Sequence, residues 1–322
     1  MPKVFITSKI PNSGITLLKK KGFSVHKTDS EGPLSNTELM DIFSEYDAVL
    51  SSIVDKIDDS IIAKASSKLR IIANYAVGFD NIDVLAAQRK GIVVCNTPGV
   101  AGESVAEHTF ALILSCLKRI VEADKYVRSG KFHRFDPNLY VAPQLWGKTI
   151  GIVGLGRIGT FVASIASGGF KMKILYFDLI RSEDFEMLTE AQFSPLGKLF
   201  RESDIVTIHT PLTPQTKHLV SRAEFMNMKN SAILINTARG PIVDENALIW
   251  ALSEGEIAAA GLDVYEHEPQ ISHELKILPN VVLTPHIASA TEECREEMAR
   301  ISAENIIAVF EGKNPFGLVK VS

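Results

Sequence analysis

Cysteine is scarce. There are 3 in 322 residues, and Cys95, Cys116 and Cys294 stand far apart without C-x-x-C or other metal-ligand spacing. That excludes a disulfide framework and a cysteine-built metal site, and each is read as a reduced thiol with a structural role. The chain also lacks any run of 18 apolar residues, so no ordinary membrane-spanning helix is expected. Its opening, MPKVFITSKI, has no long apolar core of the kind a secretory signal needs, and a cytoplasmic location is the expectation. Basic fields are missing too: 34 Lys and Arg are interspersed with 38 Asp and Glu for a net charge of −4. Neither nucleic acid nor an anionic membrane surface is therefore expected as a partner, and small molecules are favoured. No internal repeat or low-complexity tract interrupts the chain.

What is present is the 46% hydrophobic content of an ordinary α/β protein, over a length that suits two domains. Short β-rich runs alternate with helical segments: VFIT at 4–7, DAVLSS at 47–52, LRIIAN at 69–74 and GIVVCN at 91–96 read as parallel strands of one sheet. From Glu103 to Ile120, Val105, Leu112, Ile113, Cys116, Leu117 and Ile120 recur at helical spacing, which predicts one long helix. Residues 132–146 carry two prolines and several aromatics without a period, the pattern of an ordered arm. A second strand series follows, TIGIVG, KILYFD, DIVTIHT, AILINT, AAGLDV and VVLTP. After Thr291 an amphipathic helix with Met298, Ile301, Ile306 and Ile307 leads to a tail, GKNPFGLV, that must pack on an earlier part of the chain.

The first strand of the second series runs into GLGRIG, with Gly154, Gly156 and Gly159 at G-x-G-x-x-G spacing. A helix-compatible run follows, and the next strand ends in Asp178, the context that turns a weak motif into a dinucleotide fingerprint. Glycines there permit a tight turn and close approach of a pyrophosphate to a helix N-terminus. Asp178 is placed to accept hydrogen bonds from ribose hydroxyls and to repel a 2′-phosphate, which favours NAD over NADP, while Arg181 works in the opposite direction.

Three later stretches put a functional type after a strand: Arg239 in AILINTARG, Asp263 and Glu268 in GLDVYEHEP, and His286 in VVLTPHIASAT. With NYAVGFDNID, VAEHTFALIL, HTPLTPQTKHLV and NTARGPIVDE in the same order, the chain resembles the D-2-hydroxyacid dehydrogenase family over nearly its whole length. Its wording is most similar to the glyoxylate and hydroxypyruvate reductase branch.

The resemblance implies two doubly wound parallel-sheet α/β domains. A Rossmann coenzyme domain at 101–287 is inserted into a flavodoxin-like substrate domain at 1–100 and 288–322, which accounts for the late fingerprint. It implies a hydride transfer between a nicotinamide and a 2-oxo or D-2-hydroxy acid. His286 is then the general acid, oriented by Glu268, which favours its protonated form, and Arg239 binds the substrate carboxylate and polarises its carbonyl. Val77 and Gly78 map to backbone amides that bind the same carboxylate. Val105, Arg157, Ile158, Thr210, Pro211, Thr237, Ala238 and Asp263 map to the coenzyme site, Asp263 facing the nicotinamide carboxamide. No metal is implied, since Glu107 and His108 have no third ligand near them in sequence. A homodimer through the helix and arm at 103–145 is implied as well. Where the reductase branch often has a tryptophan in that arm, Leu139 stands here, which implies a looser wall. Other readings within the same pattern are an NAD-sensing corepressor-like binding protein, a formate dehydrogenase, or a dehydrogenase for lactate, glycerate phosphate or 2-ketogluconate.

Overall fold

The computed structural model describes residues 1–30 and 32–320. The chain separates into two compact units, Met1–Ala101 with Ala290–Ser322, and Gly102–Ser289. Val321 and Ser322, which the expected substrate domain includes, lie outside the described residues.

In the first unit β1 (Lys3–Ile6), β2 (Ser24–Lys27), β3 (Ala48–Ser52), β4 (Ile71–Tyr75) and β5 (Val93–Cys95) form an all-parallel sheet in the order β2-β1-β3-β4-β5. This is the flavodoxin-like order, with its switch point between β1 and β3. β4 is buried at every position and opens on the apolar run Ile71–Ala73, with Asn74 and Tyr75 closing it. β2, SVHK, is a half-exposed edge strand and needs no such run, which is why the sequence pattern does not mark it. Leu39, Phe43, Val49, Ile61, Ile72 and Val94 fill the core on one side. The helix Glu292–Phe310 starts at Thr291, whose hydroxyl accepts from the Cys294 amide, and buries Met298, Ile301, Ile306 and Ile307. The expected tail contact is made within this unit, where Val319 N donates to Val94 O at 2.9 Å.

In the second unit β6 (Thr149–Val153), β7 (Lys173–Phe177), β8 (Gln192–Phe193), β9 (Ile205–Ile208), β10 (Ile233–Asn236), β11 (Ala259–Leu262) and β12 (Val281–Leu283) form a second parallel sheet, ordered β12-β11-β10-β9-β6-β7-β8. Counted from β6, this is the 3-2-1-4-5-6 order of the Rossmann fold with β12 added, and the switch point lies between β6 and β9. Alternation decides which core each side chain enters: Leu234 joins Phe200, Phe225 and Leu248, while Ile233 and Ile235 join Ile113, Val162 and Tyr176. The two parallel α/β sheets expected from the sequence are present.

The long helix predicted from Glu103 to Ile120 is two helices, Gly102–Lys118 and Ile120–Arg128. Arg119 between them is left-handed at φ 54°. That conformation costs about 1–2 kcal/mol for a residue with a Cβ. It is held by an ion pair to Glu122 and by the guanidinium lying 4.6 Å from the Tyr140 ring centroid. Residues 131–148 then run without helix or strand. All three cysteines are buried and in no disulfide, and burial pushes the Cys95 and Cys116 thiols up to about 12. Among the described residues no helix is long and apolar enough to cross a membrane.

Candidate active site

Apart from Val105, which lies in the helix Gly102–Lys118, the expected coenzyme residues follow the carboxyl ends of strands of the second sheet, beginning with the turn after β6. Gly154 has φ +96°, and a Cβ there would lie 2.8 Å from the His209 carbonyl and 2.9 Å from Thr210 N. A Cβ on Gly159 would lie 2.2 Å from the Gly154 carbonyl oxygen. These two glycines are required by the packing of the chain on itself. Gly156 differs: a Cβ there would meet nothing within 4 Å. It is also the N-cap of the 14-residue helix Arg157–Phe170, and no side chain caps that end. Open space above exposed amides at the positive end of a helix fits a pyrophosphate.

Asp178 follows β7 and accepts from Leu155 N and Leu179 N, both at 2.7 Å, so the carboxylate is tied to the glycine turn. Arg181 points elsewhere. Its Nε and Nη2 donate to the two Glu186 oxygens at 2.8 and 2.7 Å. Hydrogen bonds from Arg181 and Tyr176 hold the Glu186 carboxyl down to about 2, so it stays ionised across neutral pH as the partner of this fork. Thr210 and Pro211 follow β9, just after His209. Burial pushes the His209 imidazole down to about 3, and it stands neutral beside Thr207 Oγ1 at 2.9 Å.

At the end of β10, Asn236 staples the next turn: its Oδ1 accepts from Ala238 N at 3.0 Å and its Nδ2 donates to Arg239 O at 2.9 Å. Thr237 in this turn is buried, its hydroxyl 3.2 Å from that of Thr109. Arg239 Nη1 donates to Ala238 O at 2.7 Å. Gly240 lies so close to the loop after β11 that a Cβ would sit 1.9 Å from the Tyr265 carbonyl carbon. The turn carrying Arg239 and the loop carrying Glu268 are thus locked together.

His286 ends the segment after β12 in a left-handed conformation, φ 54°. Its Nδ1 is 2.7 Å from Glu268 Oε2, and Glu268 Oε1 accepts from Tyr265 N at 2.9 Å. A carboxylate at Nδ1 places the ring proton there and leaves Nε2 for a reaction partner. Asp263 supports this histidine from behind. It is fully buried, its main-chain carbonyl accepts from His286 N at 2.9 Å, and its carboxylate accepts from Thr284 Oγ1, Ile287 N and Ala288 N at 2.6, 2.9 and 2.7 Å. Burial raises the Asp263 carboxyl, but hydrogen bonds from His108, Thr284, Ile287 and Ala288 outweigh it and hold the group below its usual range. A carboxamide at Asp263 would have to share oxygens that already serve the His286 loop.

Several contributors escape a reading by strand ends. His108 Nε2 lies 3.0 Å from Thr284 Oγ1 and 3.5 Å from Asp263 Oδ1. Tyr265 donates its hydroxyl to Thr284 O at 2.8 Å, and burial raises that hydroxyl's pKa, so it stays a donor. One signal was available for His108: it falls on the same helical face as Val105, Leu112 and Cys116, a polar group in an apolar stripe. Val105 itself is buried, at 6% exposure. Arg157 and Ile158 open the helix after the glycine turn. Val77 and Gly78 belong to the first unit, where they follow β4.

A family model described as D-isomer specific 2-hydroxyacid dehydrogenase, NAD binding domain, matches residues 110–288. A glyoxylate reductase of Korarchaeum cryptofilum is 46% identical over 320 residues, 99% of this chain and 96% of the relative. Among solved structures, a protein of Thermus thermophilus superposes with a TM-score of 0.91 at 39% identity, over 99% of this chain and 100% of that one. An NADPH-dependent glyoxylate/hydroxypyruvate reductase of Sinorhizobium meliloti, in complex with NADP and malonate, does so with a TM-score of 0.86 at 30% identity, over 99% and 96%.

Proposed function

The chain belongs to the D-isomer specific 2-hydroxyacid dehydrogenase family, an oxidoreductase acting on CH–OH donors, and on that premise we propose that it reduces glyoxylate, and hydroxypyruvate beside it, with NADH. The observation that carries this reading is the 2.7 Å pair of His286 Nδ1 and Glu268, at the carboxyl end of the same sheet as the glycine turn and Arg239. A nicotinamide dinucleotide fits the open space over Gly156, with its pyrophosphate at the amides of Arg157 and Ile158. Thr210, Pro211, Thr237, Ala238, Val105 and Asp263 flank its course. When bound, the nicotinamide supplies the hydride.

The chain's own groups do the rest. Arg239 takes the substrate carboxylate and polarises the carbonyl, joined by the Val77 and Gly78 amides. His286 delivers the Nε2 proton to the oxygen that gains charge, and Glu268 stabilises the imidazolium and fixes its ring. In oxidation the same nitrogen takes the proton back.

Preference for NADH rests on Asp178 where a 2′-phosphate would sit, and on Arg181 being committed to Glu186. Two like charges about 4 Å apart repel by about 4 kcal/mol at an effective dielectric of 20, so kcat/KM should favour NADH by about a hundredfold or more. A panel of 2-oxo acids assayed with both coenzymes tests the whole reading. Glyoxylate and hydroxypyruvate should lead it, and equal rates with NADPH would show that Asp178 does not discriminate.

A homodimer is proposed on the apolar surface of the 131–148 arm, where Phe132, Phe135, Val141 and Trp146 are all more than half exposed, 58, 82, 74 and 55%. Light scattering at micromolar protein should give twice 35.3 kDa, and a monomer would remove the idea.

A further inference from the structure

We propose that Asn96 is a positioning residue for substrate binding, which it serves by turning the Val77–Gly78 amides toward the carboxylate of the acid. This rests on the reading that those amides hold the carboxylate.

The argument starts from peptide geometry. In a planar trans peptide the C=O and N–H point in opposite directions, so fixing one aims the other. In the loop after β4, three successive carbonyls are fixed. Ala76 O accepts from Thr97 N at 2.9 Å, Val77 O from Asn96 Nδ2 at 2.7 Å, and Gly78 O from Asn74 Nδ2 at 2.9 Å. The first two bonds send the Val77 and Gly78 N–H groups away from the segment after β5. Thr97 acts through its main chain, which any residue but proline supplies. Asn96 acts through its side chain, so the direction of the Gly78 N–H depends on the type of residue at that position.

Asn96 is itself held on both sides. Its N–H donates to Gly317 O at 2.9 Å, and its C=O accepts from Asn305 Nδ2 at 3.1 Å. Asn305 Oδ1 in turn accepts from Gly317 N at 3.0 Å. A Cβ on Gly317 would lie 2.0 Å from Asn96 O, so the tail passes in direct contact. With its main chain clamped in this way, the Asn96 side chain has a fixed root from which to reach the Val77 carbonyl. A lone surface asparagine would spend about 1–2 kcal/mol of rotamer and backbone freedom to do the same.

A carboxylate held by an oriented amide is held in ground state and transition state alike, so losing the orientation should appear in KM and spare kcat. In Asn96→Ala, assayed as the full chain with glyoxylate and NADH, KM for glyoxylate should rise about tenfold to a hundredfold, the worth of one hydrogen bond to a charged group. The rate at saturation should fall less than about threefold, and NADH affinity by fluorescence titration should stay within about twofold. Asn96→Asp keeps the shape but sets an acceptor against the Val77 carbonyl, and should raise KM at least as far.

A merely structural role would lower Tm and leave KM for glyoxylate in place. Unchanged KM in both variants overturns the proposal. Gly78→Pro, which has no N–H, separates it from the reading beneath it. If this variant raises KM while the Asn96 variants do not, Asn96 is not the positioning group. If none of the three raises it, the assignment of the amides fails as well.

Discussion

Replacing His286 by asparagine should lower kcat for glyoxylate reduction by about 10²- to 10⁴-fold, the usual loss on removing a positioned proton donor. Asparagine is the better probe because His286 is left-handed at φ 54°, a region asparagine tolerates where alanine is strained. The main-chain bonds from residues 286–288 to Asp263 do not involve the imidazole, so the loop and the coenzyme site should persist. Unchanged NADH affinity would confirm that only the proton donor is gone. Glu268→Gln gives the graded companion. It preserves an acceptor for Nδ1 but removes the charge facing the imidazolium, and since charge-assisted hydrogen bonds are about twice as strong as neutral ones, a loss of about tenfold is expected. Near-parental kcat in His286→Asn would mean that the proton comes from elsewhere.

Arg239→Ala should behave differently, raising KM and lowering kcat together, with kcat/KM down by about a hundredfold to a thousandfold. A guanidinium that anchors a carboxylate acts before reaction, and one that polarises a carbonyl acts during it, so both constants move. Arg239→Lys keeps the charge but loses the planar fork, and should recover only part of the loss. The turn should survive either change, because Asn236 staples it through main-chain groups of Ala238 and Arg239. If KM alone rose, the carbonyl would be polarised by another group.

The strands that sequence made legible are those with both faces covered. β4 and β10 are buried at every position and open on apolar runs, Ile71–Ala73 and Ile233–Ile235, that announce them. β2 and β8 lie at sheet edges, where polar side chains are as good as any, so no pattern marks them. The places of Arg239, Glu268 and His286 after strands are legible in local motifs, and Glu268 does meet His286. The groups that brace them are not legible: His108 reaches Thr284 across 176 residues, and no local pattern encodes which buried polar groups will meet. The break at Arg119 was hidden for a similar reason, since arginine is a good helix former and only its contacts with Glu122 and Tyr140 reverse the preference.

The three glycines of the turn after β6 record different histories. A Cβ on Gly154 or Gly159 would strike the backbone of its own chain, at 2.8 Å from His209 and 2.2 Å from Gly154 O respectively, whereas one on Gly156 would meet nothing within 4 Å. A descendant that abandoned the coenzyme but kept the fold would still need the outer pair and would be free to drift at the middle one. In a lineage of such chains, substitution at position 156 alone would date the loss of the dinucleotide, while G-x-x-x-x-G persisted as the fossil of a fold that still stands.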